Sequence, residues 1–235
     1  MKGINMAFQK TKVDPALGME IRNLLISKGL ETPTTDLLFT DAKTKIEKIE
    51  GHMTEVLKTL GFDLTDDSLM ETPNRIAKMM VLEQTWGMLP ENFPKATVIK
   101  NKFQTDEMVK VEAIQIMSNC EHHAVTIDGF ATIAYIPNEK TLGLSKFNRI
   151  ADYYSRRFTV QERLTCQIFE ALRYILETEH IGIIINAKHY CVASRGVGDI
   201  NSRTTTSKLG GAFKDDALTR AEFYALHQAQ RASRY

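Results

Sequence analysis

The chain is short of cysteine, short of net charge and without any long apolar run, and each shortage removes a class of protein. Its three cysteines, Cys120, Cys166 and Cys191, are too few and too scattered over 235 residues for a disulfide framework. Lys and Arg total 30 against 29 Asp and Glu, a formal net charge of +1, whereas a dedicated nucleic-acid binder carries a basic excess. No stretch approaches the roughly 20 apolar residues of a membrane span. The opening "MKGINMAFQKTKVDPALG" lacks the continuous apolar centre of a signal peptide. Internal repeats and low-complexity segments are also missing. The expectation is a soluble protein of the reducing cytoplasm, with neither nucleic acid nor membrane among its partners. A hydrophobic content of 43% supports one sizeable core, or a core with a helical appendage.

The pattern changes near Pro94. Before it, "PALGMEIRNLLISKGL" sets Leu17, Ile21, Leu24 and Leu25 on one helical face and stops at Gly29. A polar linker, "ETPTTD", follows. "TKIEKIEGHMTEVLKTLG" repeats the helical spacing through Ile46, Ile49, Met53, Val56, Leu57 and Leu60. "ETPNRIAKMMVLEQTWGM" predicts a third helix, with Thr72 as N-cap and Pro73 at its first position. Beyond Pro94, "ATVIKNKF", "MVKVEAIQIM" and "AVTIDGFATIAYIP" alternate as half-buried strands do. Helices through "LSKFNRIADYYSRR" and "TVQERLTCQIFEALRYILE" come next. Strands through "IGIIINAKHYCVAS" and "NSRTTTSKLGG" and a closing helix through "LTRAEFYALHQAQR" complete the order. That succession predicts an α+β fold, an antiparallel sheet with helices on one face. It divides the chain into an N-terminal helical region, 1–95, and a second unit, 96–235.

Chemistry concentrates in "NCEHHAVTIDG" and "KHYCV". Cys120 and His123 are separated by two residues, a spacing that turns both side chains onto one ion. His189 and Cys191, at i and i+2 of the predicted strand, would share a face. Three ligands with one open position is the arrangement of a catalytic zinc. A Cys-Cys-His set would leave two histidines for proton transfer. Cys166, mid-helix among apolar neighbours, reads as core, and His52, His180 and His227 as structural or solvent-facing. Ser145, Lys146 and Arg149 open a helix, where an anion is favoured. Arg195 follows Cys191 by four residues, and Arg75 and Lys78 share a helical face. Thr159 with Glu162 matches a capping box. No Walker A pattern is present, so any bound nucleoside triphosphate would be held by its phosphates rather than cleaved there.

Together, "CEHH-VTIDG", "YIP", "GLSK-NRI", "VQERLT-QI", "HYCV--RG" and "TTTS-LGG" resemble GTP cyclohydrolase I of the bacterial type IA. The likeness runs from about His52 to the last helix, while the first forty residues match loosely. It implies one zinc per subunit on Cys120, His123 and Cys191, with His122 and His189 as acid–base groups. It implies Glu162 on the guanine edge, with Gln161 carried along, which sets aside the capping reading. Ser145 would contact ribose and Lys146, Arg149 and Arg195 the triphosphate, while Arg75 and Lys78 match further basic positions of the substrate site. The implied reaction turns GTP and water into 7,8-dihydroneopterin triphosphate and formate, at the start of pterin and tetrahydrofolate synthesis. The implied fold is the tunnelling fold, its sheets closing a ring barrel, with two pentamers stacked as a decamer and sites at subunit interfaces.

Departures from the family are few. Ala124 replaces a bulkier aromatic, Phe130 a lysine, and Gly198 a larger or basic residue, which would weaken one phosphate contact. Two rivals remain. A nitrile reductase on the same fold would use a cysteine nucleophile and no zinc. A non-catalytic ring protein would have no use for His122, His189 and Glu162.

Overall fold

The structure, a computed structural model, describes residues 12–232, with side chains as far as residue 225. The chain's first eleven residues and the side chain of His227 lie outside the described residues.

Helix α1 spans Pro15–Ser27, capped by Asp14, whose carboxylate accepts from the Leu17 N–H at 3.2 Å. Ile21 and Leu25 are its buried stripe, as the spacing predicts, and Gly29 at φ +66° ends it. Helix α2, Ala42–Thr59, is capped by Asp41, yet none of its residues is fully buried. Its apolar stripe is only partly covered by α3, Thr72–Lys78, and Val56 and Leu60 stay exposed. The third helix begins one residue earlier in register than predicted. Glu71 is already helical at φ −90°, ψ −4°, so Thr72 lies inside the helix and caps nothing. It also fails to reach residue 88, giving way to a π-helical turn over Met79–Gln84 and a 3₁₀ turn over Trp86–Met88.

The main sheet has five strands in the order β5-β2-β3-β6-β7. These are β2 (Val109–Cys120), β3 (Thr126–Tyr135), β5 (Phe158–Thr159), β6 (Ile181–His189) and β7 (Thr204–Leu209). All pair antiparallel except the two-residue contact of β2 with β5, which is parallel. "ATVIKNKF" contributes only β1, Val98–Lys100, and that strand joins β4, Lys140–Leu142, in a separate ribbon. A bulge between Val111 and Ile114 puts Ala113 at φ +58°.

Helices α4 (Leu144–Ser155) and α5 (Gln161–Leu176) cover one face, where Phe147, Ile150, Leu164, Ile168 and Leu172 meet Ile116, Ile127, Ile133 and Ile185. Ile21, Leu25 and Phe93 join that same core. Helices on one face alone is not what is found. Phe213 of α7 (Ala212–Asp215) and Phe223 of α8 (Ala217–Ala232) pack with Ala134 and Ile184, which alternate away from the main core. The reason is a hollow left by small residues. A Cβ on Gly182 would stand 3.0 Å from Phe213 and 3.1 Å from Phe223. Among the described residues no helix is long and apolar enough to cross a membrane.

Arg157, 1% exposed, ties the early helices to this core. It pairs with Glu31 at 3.5 Å, donates to Gln167 Oε1 at 3.4 Å and to the Gly87 carbonyl, and lies 4.6 Å from the Tyr154 ring centroid. Arg157→Ala is expected to cost about 3–5 kcal/mol, because it leaves these acceptors buried without a donor. Denaturant or calorimetric unfolding checks it; a loss below about 1 kcal/mol would mean that the bonds merely offset the burial.

Candidate active site

Cys120 ends β2, and the chain reverses through Glu121, His122, His123 and Ala124 into β3. The Ala124 N–H returns to the Cys120 carbonyl at 2.8 Å, and the Cys120 N–H donates to Val125 O at 2.8 Å. So tight a reversal needs a left-handed residue, and Ala124 supplies it at φ +55°. The turn presents Cys120 from the buried side and His123 from the exposed side.

Cys191 arrives differently from the prediction. Strand β6 stops at His189, and Cys191 sits on a helical turn, α6, Tyr190–Ala193. His189 and Cys191 therefore do not share a strand face. The turn still brings Cys191 in: one ligand atom each from Cys120, His123 and Cys191 lie within 4.8 Å of one another. Burial pushes the Cys191 thiol up, and the hydrogen bond and charge of Cys120 push it further. A thiol whose ionisation a neighbouring cysteine opposes is what a divalent cation relieves, since it binds cysteine as thiolate. The donor set fits a metal.

Two charged contacts surround the set. Arg195, in the loop after α6, donates from Nη1 to His123 Nε2 at 2.7 Å. Glu121 pairs with Arg163 of α5 through both guanidinium nitrogens, the longer contact being 3.4 Å, and its N–H donates to Thr159 O at 3.2 Å. The ligand turn is thus clamped to α5 and β5. Glu121→Arg is expected to weaken a bound divalent ion about 10-fold, with recovery in the swapped Glu121→Arg/Arg163→Glu pair, read by chelator competition. Equal affinities throughout would reduce the pair to a surface ornament.

His189 contacts Gln161 rather than the thiols, Nε2 to Oε1 at 2.7 Å. Burial lowers its pKa while the carboxylate of Glu162 pulls it upward. The neutral ring is favoured, as a proton acceptor requires. The capping box is absent: Thr159 belongs to β5 and bonds Val160 O, α5 starts after Val160 without a side-chain cap, and Glu162 is exposed. Gln161 is the opposite case, 1% exposed with its amide fully engaged. Cys166 is half-buried on α5, its thiol pushed up by burial. His180 accepts the Ala212 N–H at 2.9 Å and so serves α7. His52 is exposed on α2.

Ser145, Lys146 and Arg149 do open α4. Burial lowers Lys146, and the charges of Arg149, Lys95 and Lys12 lower it further, so four cations crowd one place that an anion would settle. Lys12 and Lys95 come together because the Lys95 N–H donates to Lys12 O at 2.8 Å. Arg75 and Lys78 stand apart, exposed on the last turn of α3, which packs on α2. Sequence reading missed Glu121, Arg163, Thr165 and Thr206. Their partners are about forty residues away, so no local spacing announces them.

Known proteins share this sequence over most of its length. A family model described as GTP cyclohydrolase I matches residues 49–228, a span holding every candidate residue from Arg75 to Arg195. GTP cyclohydrolase 1 of Vibrio cholerae serotype O1 is 56% identical over 203 residues, covering 86% of this chain and 93% of that protein. The enzyme of that name from Photobacterium profundum is 55% identical over 204 residues, covering 87% and 94%. Among solved structures, the apo archaeosine synthase QueF-Like overlays with a TM-score of 0.38 at 15% identity, over 44% of this chain and 93% of that one. That last likeness is too slight to carry any argument.

Proposed function

The chain belongs to the GTP cyclohydrolase I family, and from that membership we propose that it converts GTP and water to 7,8-dihydroneopterin triphosphate and formate with one zinc ion per subunit. The observation that carries the reading is the cluster of Cys120, His123 and Cys191, with a half-buried His189 two residues from Cys191 whose pKa burial lowers and the charge of Glu162 raises. Those three residues hold the metal. Zinc, when bound, supplies Lewis acidity and makes a water nucleophilic near neutral pH.

The remaining work falls to the chain. The Glu162 carboxylate, free of any cap, accepts from guanine N1–H and its 2-amino group and orients the base. Water adds at C8, the imidazole ring opens, and C8 leaves as formate. His189, neutral at rest, takes a proton, and His122, exposed beside His123, is the second acid–base group. Ser145 holds the ribose, while Lys146, Arg149 and Arg195 hold the triphosphate, so the ribose rearranges and closes without release. Lys146 is suited to that task because its crowded charge is relieved by an anion.

The same reading makes the active form a decamer of two pentamers with a tunnelling fold. Strand β2 leaves Val109–Ser118 unpaired on its outer edge among the described residues, and β7 has β6 on one side only. Each is a ready partner for the other in a neighbouring copy, and ring closure removes both edges. The exposed part of the α2 stripe, Val56 and Leu60, supports a further contact between copies. Arg75 and Lys78 would then reach the triphosphate of an adjacent subunit.

The test is a paired assay on zinc-replete protein with GTP, counting formate and pterin per subunit. Equal amounts support the whole reading. Formate alone would fault the assigned ribose and phosphate contacts, and neither product, with GTP and zinc bound, would make the chain a non-catalytic binder.

A further inference from the structure

We infer that Gln161 does not read the substrate but fixes the tautomer of His189, so that the uncharged ring holds its hydrogen on Nε2 and presents the lone pair of Nδ1. The inference rests on the acid–base role proposed for His189. It assigns Gln161 a positioning role in place of the base contact that family resemblance implies.

The argument is a count of donors and acceptors. The Gln161 side-chain nitrogen lies 3.0 Å from Ile185 O, 3.1 Å from Thr204 O and 3.0 Å from Thr206 Oγ1. Two of these are carbonyls, which can only accept. The third is directed by its neighbour. Thr165 spends its one hydroxyl hydrogen on Gln161 O at 2.8 Å, so in the 2.7 Å contact between the two hydroxyls Thr206 donates to Thr165. Thr206 is then left with lone pairs toward the amide. Turning the amide over would set Oε1 against two carbonyl oxygens in a buried place and remove both donors, so it stays as it is.

With that orientation held, Oε1 faces His189 Nε2 at 2.7 Å, and an amide oxygen can only accept. His189 must therefore carry hydrogen on Nε2. With hydrogen on Nε2, the uncharged form of the ring keeps its lone pair on Nδ1, which has no hydrogen-bond partner among the described residues. Gln161 is the first residue of α5, and Ile185, Thr204 and Thr206 belong to or adjoin β6 and β7. The network thus transmits the position of three elements to one proton.

The test uses zinc-loaded enzyme with 15N-labelled histidine, read by magic-angle-spinning NMR, the His189 signals being identified by their loss in His189→Gln. Wild type is expected to show Nε2 protonated and Nδ1 bare. In Gln161→Met the ring is expected to shift toward mixed tautomers, with kcat down about 10- to 100-fold and the KM for GTP within about twofold. Thr206→Val, which removes one acceptor and leaves Gln161 and His189 in place, is expected to show the same kind of change at smaller size and guards against misfolding of the first variant. A proton found on Nδ1 in wild type would overturn the inference. So would a Gln161→Met enzyme that keeps kcat and raises KM, since that is what a lost substrate contact does. Unimpaired turnover in His189→Gln would instead sink the catalytic role of His189, a failure the ring signals report separately.

Discussion

His189→Ala is expected to bind GTP about as well as the unaltered protein while its turnover falls about 10²- to 10⁴-fold, the range that a positioned acid–base group supplies. Binding should persist because the groups assigned to hold the substrate, Glu162, Lys146, Arg149 and Arg195, are on α4, α5 and the loop after α6, and none of them bonds His189. Bound zinc should persist too, as the three proposed ligands do not include His189. What disappears is a ring whose burial keeps it neutral and whose contact with Gln161 keeps it aimed. Calorimetric titration with GTP, set beside formate and pterin release, measures both halves. Pterin output at the normal rate would remove His189 from the mechanism.

Cys191→Ser should be more damaging, because it removes one of the three proposed metal ligands. A serine hydroxyl stays protonated where a thiol is converted to a thiolate, so the ion is left with Cys120 and His123, both from one turn. Loss of an orienting partner alone typically costs a metal site 10- to 100-fold in affinity. Loss of a ligand is expected to exceed about 100-fold, leaving the purified variant without stoichiometric zinc and without turnover. Elemental analysis decides the matter. Stoichiometric zinc in Cys191→Ser would mean that another side chain completes the set.

How much of this is legible in the sequence depends on distance along the chain. Cys120 and His123 are legible because one tight turn brings both to the same place. The β2 and β3 strands are legible from alternation, β6 from its run of isoleucines, and the apolar faces of α1 and α2 from helical spacing. Cys191 does join that pair, but not for the reason its spacing suggests, since the strand that would align it with His189 ends first and a helical turn replaces it. The Thr159–Glu162 pattern has the sequence of a capping box without its bonds, because pairing of Thr159 with Cys120 draws that residue into the sheet. The clamp of Glu121 on Arg163 and the network around Gln161 link residues far apart in the chain, and no periodicity encodes such meetings.

The buried guanidinium of Arg157 has a consequence for the order in which the protein is made. Two of its partners precede it by a long way, Glu31 by 126 residues and Gly87 by 70. Synthesis runs from the N-terminus, so both are complete long before their cation exists. Helix α1 is in the same position, its face of Ile21 and Leu25 waiting for α5 and the sheet that follow. That early segment is therefore among the last to be secured, and a growing chain carries an amphipathic helix covered only by the turn around Pro90 and Phe93 until its second half has emerged.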